Sequence, residues 1–346
     1  MNVKRKLPWL LLVLAVLAVV GAGCGGGDEE GGGGAGGGTQ ATETGGGEAI
    51  KVGLVTDIGG LNDRGFNSLA NKGLEDAKAQ LGVEGRVLES KSDADYIPNL
   101  SEFGDQGYDL IISVGFLMTD ATTKAAKAYP DSTFAIVDSA FDPPIDNAQG
   151  LLFKEQETGC LVGVVGALTS KTGTISTVGG QKIPPVDRFI AGYQFCAKKV
   201  KPDIKLLNEY SQDFVDQAKC KEIALDQIAK GSDVVFQVAG GCGLGALDAA
   251  KEKGVWGIGV DADQSFLGDH ILTSAVKRVD VAVFKTIEAV QKGETVGGSI
   301  TTFGLKEDGV GLGTVSPKVP QDVLDQVDDI KQQILDGSLQ IPDKVG

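Results

Sequence analysis

Short apolar runs rich in β-branched residues alternate along this chain with stretches whose apolar residues recur every three or four positions. Residues 51–56 form the first run and read as a strand. After a polar turn, Phe66, Leu69, Ala70, Gly73, Leu74, Ala77 and Leu81 fall on one stripe at helical spacing. Strands are predicted at 86–89, 110–114 (closed by Gly115) and 133–137, the last preceded by a helix over 121–128. A second series begins after Phe153. Helices over 161–168, 188–200, 214–229 and 244–253 interleave with strands at 174–178, 205–208, 234–238 and 256–260. A strand at 271–276, a helix over 280–291, a strand at 300–303 and a terminal helix over 321–335 complete the pattern. Strand–helix alternation predicts an α/β protein with doubly wound, mostly parallel sheets. Two series predict two lobes, about 49–153 with 264–300 and 154–263 with 301–346. No short-period repeat is visible, which argues against a solenoid. Ligands of open α/β sheets collect beyond the C-terminal strand ends, so two facing lobes predict a shared cleft.

The first 48 residues break this pattern. Lys4, Arg5 and Lys6 precede an uninterrupted apolar run over 9–20, followed by Gly21-Ala22-Gly23 and Cys24. A charged start, a short apolar stretch and small residues at a cut describe a secretory signal over 1–23 rather than a spanning helix. With a cysteine at the cut, the segment resembles a bacterial lipoprotein signal. Cys24 would then carry the lipid (palmitate) and become the mature N-terminus, on the extracytoplasmic face of the cell membrane. Gly21 departs from that pattern, where a larger aliphatic residue is commoner. The other reading is an ordinary secreted protein cut near Cys24. Residues 25–48 are Gly-rich with Asp, Glu, Thr, Ala and one Gln, and are predicted to be a flexible tether because they cannot bury a core.

The 346-residue chain has a formal charge of −15, and losing Lys4, Arg5 and Lys6 with the signal takes it to −18. Such acidity argues against nucleic acid as a partner. Besides Cys24 there are Cys160, Cys196, Cys220 and Cys242, which in an exported protein permit two disulfides in three connectivities. Cys196 and Cys220 lie on successive predicted helices, so that pair is expected, leaving Cys160 with Cys242. The alternative is four free thiols. No Cys-x-x-Cys or Cys/His spacing points to a metal, and no cofactor is expected.

Candidate chemistry sits just past the strand ends. Thr56-Asp57-Ile58-Gly59-Gly60 leads through Asn62-Asp63 to Phe66-Asn67. Asn67 offers two donors and an acceptor to a planar heterocycle, and Phe66 offers a stacking face. Phe66 also fits the core stripe of its helix, so both readings stay open. Asp138 ends a strand, where it either faces the cleft or caps a turn. Phe214 stands between a strand and a helix. Gly240, Gly241, Gly243 and Gly245 follow the strand 234–238, Asp261 and Asp263 follow Val260, and Lys277 follows Val276. Aromatic faces suit a flat ring and carboxylates suit vicinal hydroxyls. A nucleoside has both.

The run from Val55 to Asn67 resembles the opening of the basic membrane protein family, lipid-anchored substrate-binding proteins of ABC importers. The likeness continues through 170–173, 178–180, 189–193, 214–221, 239–245, 257–261 and 272–277. The resemblance implies a type I periplasmic-binding fold, a monomer, a purine-nucleoside ligand, a permease partner and no catalytic residues. It implies that Phe66 and Phe214 sandwich a base whose edge Asn67 and Asp138 bind. Asp261 and Lys277 would hold the ribose, assisted by Asp57 and the backbone near Gly240, with Phe116 a further lining candidate. Gly65 stands where the family commonly has Ser, and Cys160 and Cys242 lie where it usually lacks cysteine.

Other functions fit parts of the pattern. Gly241-x-Gly243-x-x-Ala246 opens a helix after a strand, with Asp261 downstream, as in a Rossmann dehydrogenase. Its mid-chain position, the export signal and the single His270 argue against that. There is no Gly-x-Ser-x-Gly elbow for a serine hydrolase. A carboxylate pair would suit nucleoside hydrolysis. A lipoprotein binding a sugar or another metabolite is the remaining alternative.

Overall fold

The computed structural model describes residues 49–346. The expected export signal, the expected lipid site Cys24 and the expected glycine-rich tether lie outside the described residues. The chain first runs through β1 (Lys51–Thr56), α1 (Phe66–Leu81), β2 (Glu84–Leu88), α2 (Tyr96–Asp105), β3 (Leu110–Val114), α3 (Thr119–Ala128), β4 (Thr133–Val137) and β5 (Ala148–Phe153). It continues through α4 (Glu155–Thr169), β6 (Thr174–Gly179), α5 (Pro184–Val200), β7 (Lys205–Tyr210), α6 (Gln217–Ala229) and β8 (Val234–Val238). Then come α7 (Gly240–Lys253), β9 (Trp256–Asp261), β10 (Ile271–Lys277), α8 (Val279–Gln291), β11 (Ile300–Phe303), β12 (Val310–Leu312) and α9 (Gln321–Leu335).

Two six-stranded sheets result, ordered β2-β1-β3-β4-β5-β11 and β7-β6-β8-β9-β10-β12. Every pairing is parallel except β10 with β12. The two orders are the same doubly wound pattern, so each lobe has a switch point where successive connections leave in opposite directions. These lie between β1 and β3 and between β6 and β8. Central strands are buried on both faces, which is why their sequences are nearly continuous apolar runs. Along β3, Leu110, Ile112 and Val114 join one core cluster and Ile111 the cluster beneath α2 and α3.

Two expectations are corrected. The first lobe is expected to hold 264–300 and the second 301–346. Instead β10 pairs with β9 in the second sheet, and the chain returns to the first only with α8, which packs on α1, and β11. The chain therefore crosses between lobes at 153–155, at 277–279 and between β11 and β12. The disulfides are Cys160–Cys196 and Cys220–Cys242, with Cα atoms 5.0 and 5.6 Å apart. The switch in winding puts α5 on one face of the second sheet and α6 on the other. Cys196 and Cys220 thus belong to separate core clusters and cannot meet. Among the described residues, no helix is long and apolar enough to cross a membrane.

Candidate functional site

The loop after β1 is organised by two carboxylates. Asp63 accepts the backbone N–H groups of Gly65 (3.0 Å), Asn67 (2.6 Å) and Ser68 (3.1 Å), satisfying the open amides at the start of α1. That fixes the first turn, which carries Phe66 and Asn67. Asp57 Oδ1 accepts from Asn67 Nδ2 at 2.8 Å and from the Gly59 N–H at 3.1 Å. Burial pushes Asp57 up to about 6, against the lowering effect of these two bonds. Asn67 Oδ1 is buried and, among the described residues, has no partner.

Asp138 and Asp261 follow β4 and end β9 with left-handed backbones, φ 71° and 61°. Asp tolerates this region better than most residues, and such strain concentrates at functional positions. Arg64 and Gln212, on loops beside the cleft, share it with φ 53° and 56°. No described residue donates a hydrogen bond to the Asp261 carboxylate. Burial pushes that group up to about 7; Lys277 counters, while Asp138, Asp63 and Glu155 add to the rise.

Lys277, at the end of β10, is 1% exposed. Its Nζ donates to Asp138 at 2.7 Å and to Glu155 Oε1 at 2.9 Å, and Glu155 also accepts from Arg188 Nε at 2.5 Å. The ammonium lies 5.1 Å from the Phe66 ring centre and 4.8 Å from that of Phe153. Burial alone would lower Lys277, but the carboxylates of Asp138, Glu155 and Asp261 hold it above the usual lysine range. It therefore stays cationic. Asp138 belongs to the first sheet, Lys277 to the second and Glu155 to the first crossing, so the network spans the junction between lobes.

Phe214 stands in the loop between β7 and α6, outside the helix expected to start there. Its ring lies on Gly180, where an added Cβ would come within 2.3 Å of a ring carbon. Its carbonyl accepts the Cys242 N–H at 3.0 Å. Gly240 has φ 54°, which favours glycine, and opens α7 four residues before the expected start.

The nine residues that the resemblance places at the ligand line one cavity, whereas Gly243, Gly245 and Asp263 do not, Asp263 accepting instead from Ser265 and Thr314. Asp57, Phe66, Asn67, Phe116 and Asp138 come from the first lobe. Phe214, Gly240, Asp261 and Lys277 come from the second. Phe66 combines its two readings, half-buried against the core and lining the cavity. Sequence reasoning missed Asp63 as a cap, and missed Val186 and Phe189, because α5 starts at Pro184 rather than near 188. It also missed Glu155, whose place in an acidic first turn was the available signal for a helix start. Among the described residues, no group of three or more His, Cys, Asp and Glu is placed to hold a metal.

Similarity to known proteins agrees with this geometry. The family model described as ABC transporter substrate-binding protein PnrA-like matches residues 50–345. The chain is 38% identical over 315 residues to the CD4+ T-cell-stimulating antigen of Listeria monocytogenes, covering 85% of this chain and 88% of that protein. It is 37% identical over 317 residues to the ABC transporter nucleoside-binding protein BmpA of Lactococcus lactis, covering 85% and 90%. Among solved structures, an ABC transporter solute-binding protein from Aeropyrum pernix superposes with TM-score 0.78 at 31% identity, over 86% of this chain and 94% of that one. Binding without catalysis is the work of this family, so the dehydrogenase and hydrolase readings fall away. The chain belongs to the basic membrane protein family of PnrA-like ABC transporter substrate-binding proteins.

Proposed function

We propose that this protein captures nucleosides, purine nucleosides in particular, outside the cytoplasm and delivers them to the permease of an ABC importer. A lipid on Cys24 holds it at the membrane. One observation carries the reading: Phe66 and Phe214, from different lobes, line the same cavity beside an Asp261 carboxylate that nothing in the described protein engages. Two aromatic faces suit a flat base and a free buried carboxylate suits ribose hydroxyls. Asn67 Oδ1, buried and unpartnered, offers an acceptor to the base edge. Because both lobes touch the ligand at once, it binds the closed arrangement better than an open one, and the lobes close by a hinge at the crossings.

The test is mass spectrometry of small molecules retained through purification, followed by calorimetric titration with adenosine, guanosine, uridine and free pentoses. Stoichiometric binding of intact purine nucleoside is the expected result. Retention of a sugar with no nucleoside binding would overturn the assignment. Release of free base on incubation would reinstate a hydrolase.

A further inference from the structure

Cys220 and Cys242 both sit in the first turns of helices, and the loop before one and the leading end of the other line the cavity. Cys220 follows shortly after Phe214, at the start of α6, and Cys242 directly follows Gly240 and Gly241, which line the cavity at the start of α7. We propose that this disulfide is a positioning element of the binding wall, holding the Phe214 ring in its ligand-facing place before any ligand arrives. The inference rests on the ligand site described above.

Several observations point the same way. The Cys242 N–H donates to the Phe214 carbonyl at 3.0 Å, so the bridged residue itself grips the loop. The α6 and α7 starts approach so closely that a Cβ on Gly245 would lie 1.9 Å from the Gln217 carbonyl oxygen. The ring rests on Gly180, beside Gly240, and is only half-buried at the edge of the core. Its neighbour Val215 is 54% exposed, so burial holds this loop on one side only. Further restraints lie on its N-terminal side: Asp213 accepts the N–H groups of Val215 and Asp216, Ser211 Oγ bonds Asp213, and the Gln212 N–H donates to the Gly180 carbonyl. Both cysteines are wholly buried, which makes the bridge a permanent strut, out of reach of a reductant in the folded chain. By contrast, Cys160–Cys196 joins α4 to α5 well inside both helices. Binding that must first order an aromatic wall loses affinity, and a preordered wall avoids that loss.

Adenosine titration of four chains tests this: the parent, the Cys220→Val/Cys242→Ala pair, Phe214→Ala, and all three changes together. Removing the bridge weakens binding about tenfold when Phe214 is present and less than twofold when it is absent. Equal losses in both backgrounds, or no loss in the parent, would overturn the proposal. Hydrogen exchange on the unmodified, ligand-free chain gives a second reading that survives a bridge-free chain failing to fold. The amides of Val215, Asp216 and Cys242 are protected before ligand is added. Rapid exchange there that slows only with ligand overturns the proposal. Failure of the parent to bind any nucleoside removes the ligand assignment instead, and the exchange pattern then still decides whether the loop is preordered.

Discussion

Lowering the pH from 8 to 6 protonates Asp261 and takes away the acceptor assigned to the ribose hydroxyls. Burial puts this carboxyl at about 7. It is then about nine-tenths ionised at pH 8 and about one-tenth at pH 6. If only the carboxylate accepts from the diol, nucleoside affinity falls about tenfold over those two units, or ~1.3 kcal/mol. The sign follows from linkage: the ligand favours the ionised form, so binding releases a proton and affinity rises with pH until it levels above pH 8. Asp57, at about 6, adds a smaller loss near the acid end of the range. The Asp261→Asn variant separates the two, because it removes the step near pH 7 and keeps the one near pH 6. Free adenine or hypoxanthine, lacking ribose, shows no step near pH 7. The assay is calorimetric titration in buffers of different ionisation enthalpy, which counts released protons directly. Parent affinity that stays constant between pH 6 and 8, or an unchanged step in Asp261→Asn, would refute the ribose role.

Asp261→Asn also has a stability consequence. Between about pH 4 and 7 the folded chain holds a proton that the unfolded chain has lost, so this group makes stability fall as pH rises through that window. At pH 8 the asparagine variant is expected to be more stable by up to about 4 kcal/mol and at pH 4 to match the parent, read by thermal melts at both pH values. Phe214→Ala is expected to weaken nucleosides and free bases alike by about 1 to 3 kcal/mol; unchanged titrations would remove the ring from the clamp. Lys277→Met leaves Asp138 buried without its cation and Glu155 with Arg188 alone, and is expected to destabilise by about 3 to 5 kcal/mol in urea unfolding. Gln264 Nε2 donates across the cleft to the Arg64 carbonyl at 3.2 Å. Gln264→Leu is therefore expected to speed ligand release by roughly 2- to 10-fold in stopped-flow dissociation, with little change in the association rate.

Burial decides which elements could be read in advance. β1, β3, β4 and β8 lie inside parallel sheets, and their nearly unbroken apolar sequences announce it. β5 is equally buried but runs Ala-Gln-Gly-Leu-Leu-Phe, without the β-branched residues that mark a strand. α2 buries only Tyr96, Leu100 and Phe103 and carries Pro98 in its first turn, so its helical stripe is thin. Periodicity also says nothing about which sheet a strand joins. Residues 271–277 and 300–303 both read as strands, yet they exchange lobes because partners are chosen by contacts far apart in sequence. The disulfides fail to read for the same reason. Sequence order makes Cys196 and Cys220 neighbours, while the switch in winding puts a sheet between them.

The site was more legible than the pairings because a doubly wound sheet converts a position in sequence into a position in space. Whatever follows a strand's C-terminal end faces the cleft, so Asp57, Asp138, Asp261 and Lys277 fall there by construction. What surrounds Lys277 could not be read, since Glu155 and Arg188 reach it from a crossing segment and from α5. Their presence sharpens the lysine's role. An ammonium has three donors. Two are spent on Asp138 and Glu155, which leaves one, in a direction set by two fixed carboxylates, to meet a hydroxyl of the proposed ligand. Arg188 in turn occupies the far side of Glu155 and keeps that carboxylate from turning into the cavity. The two carboxylates tether Lys277 between the lobes, so under the proposed function bringing the lobes together and aiming its last donor at the nucleoside become one event.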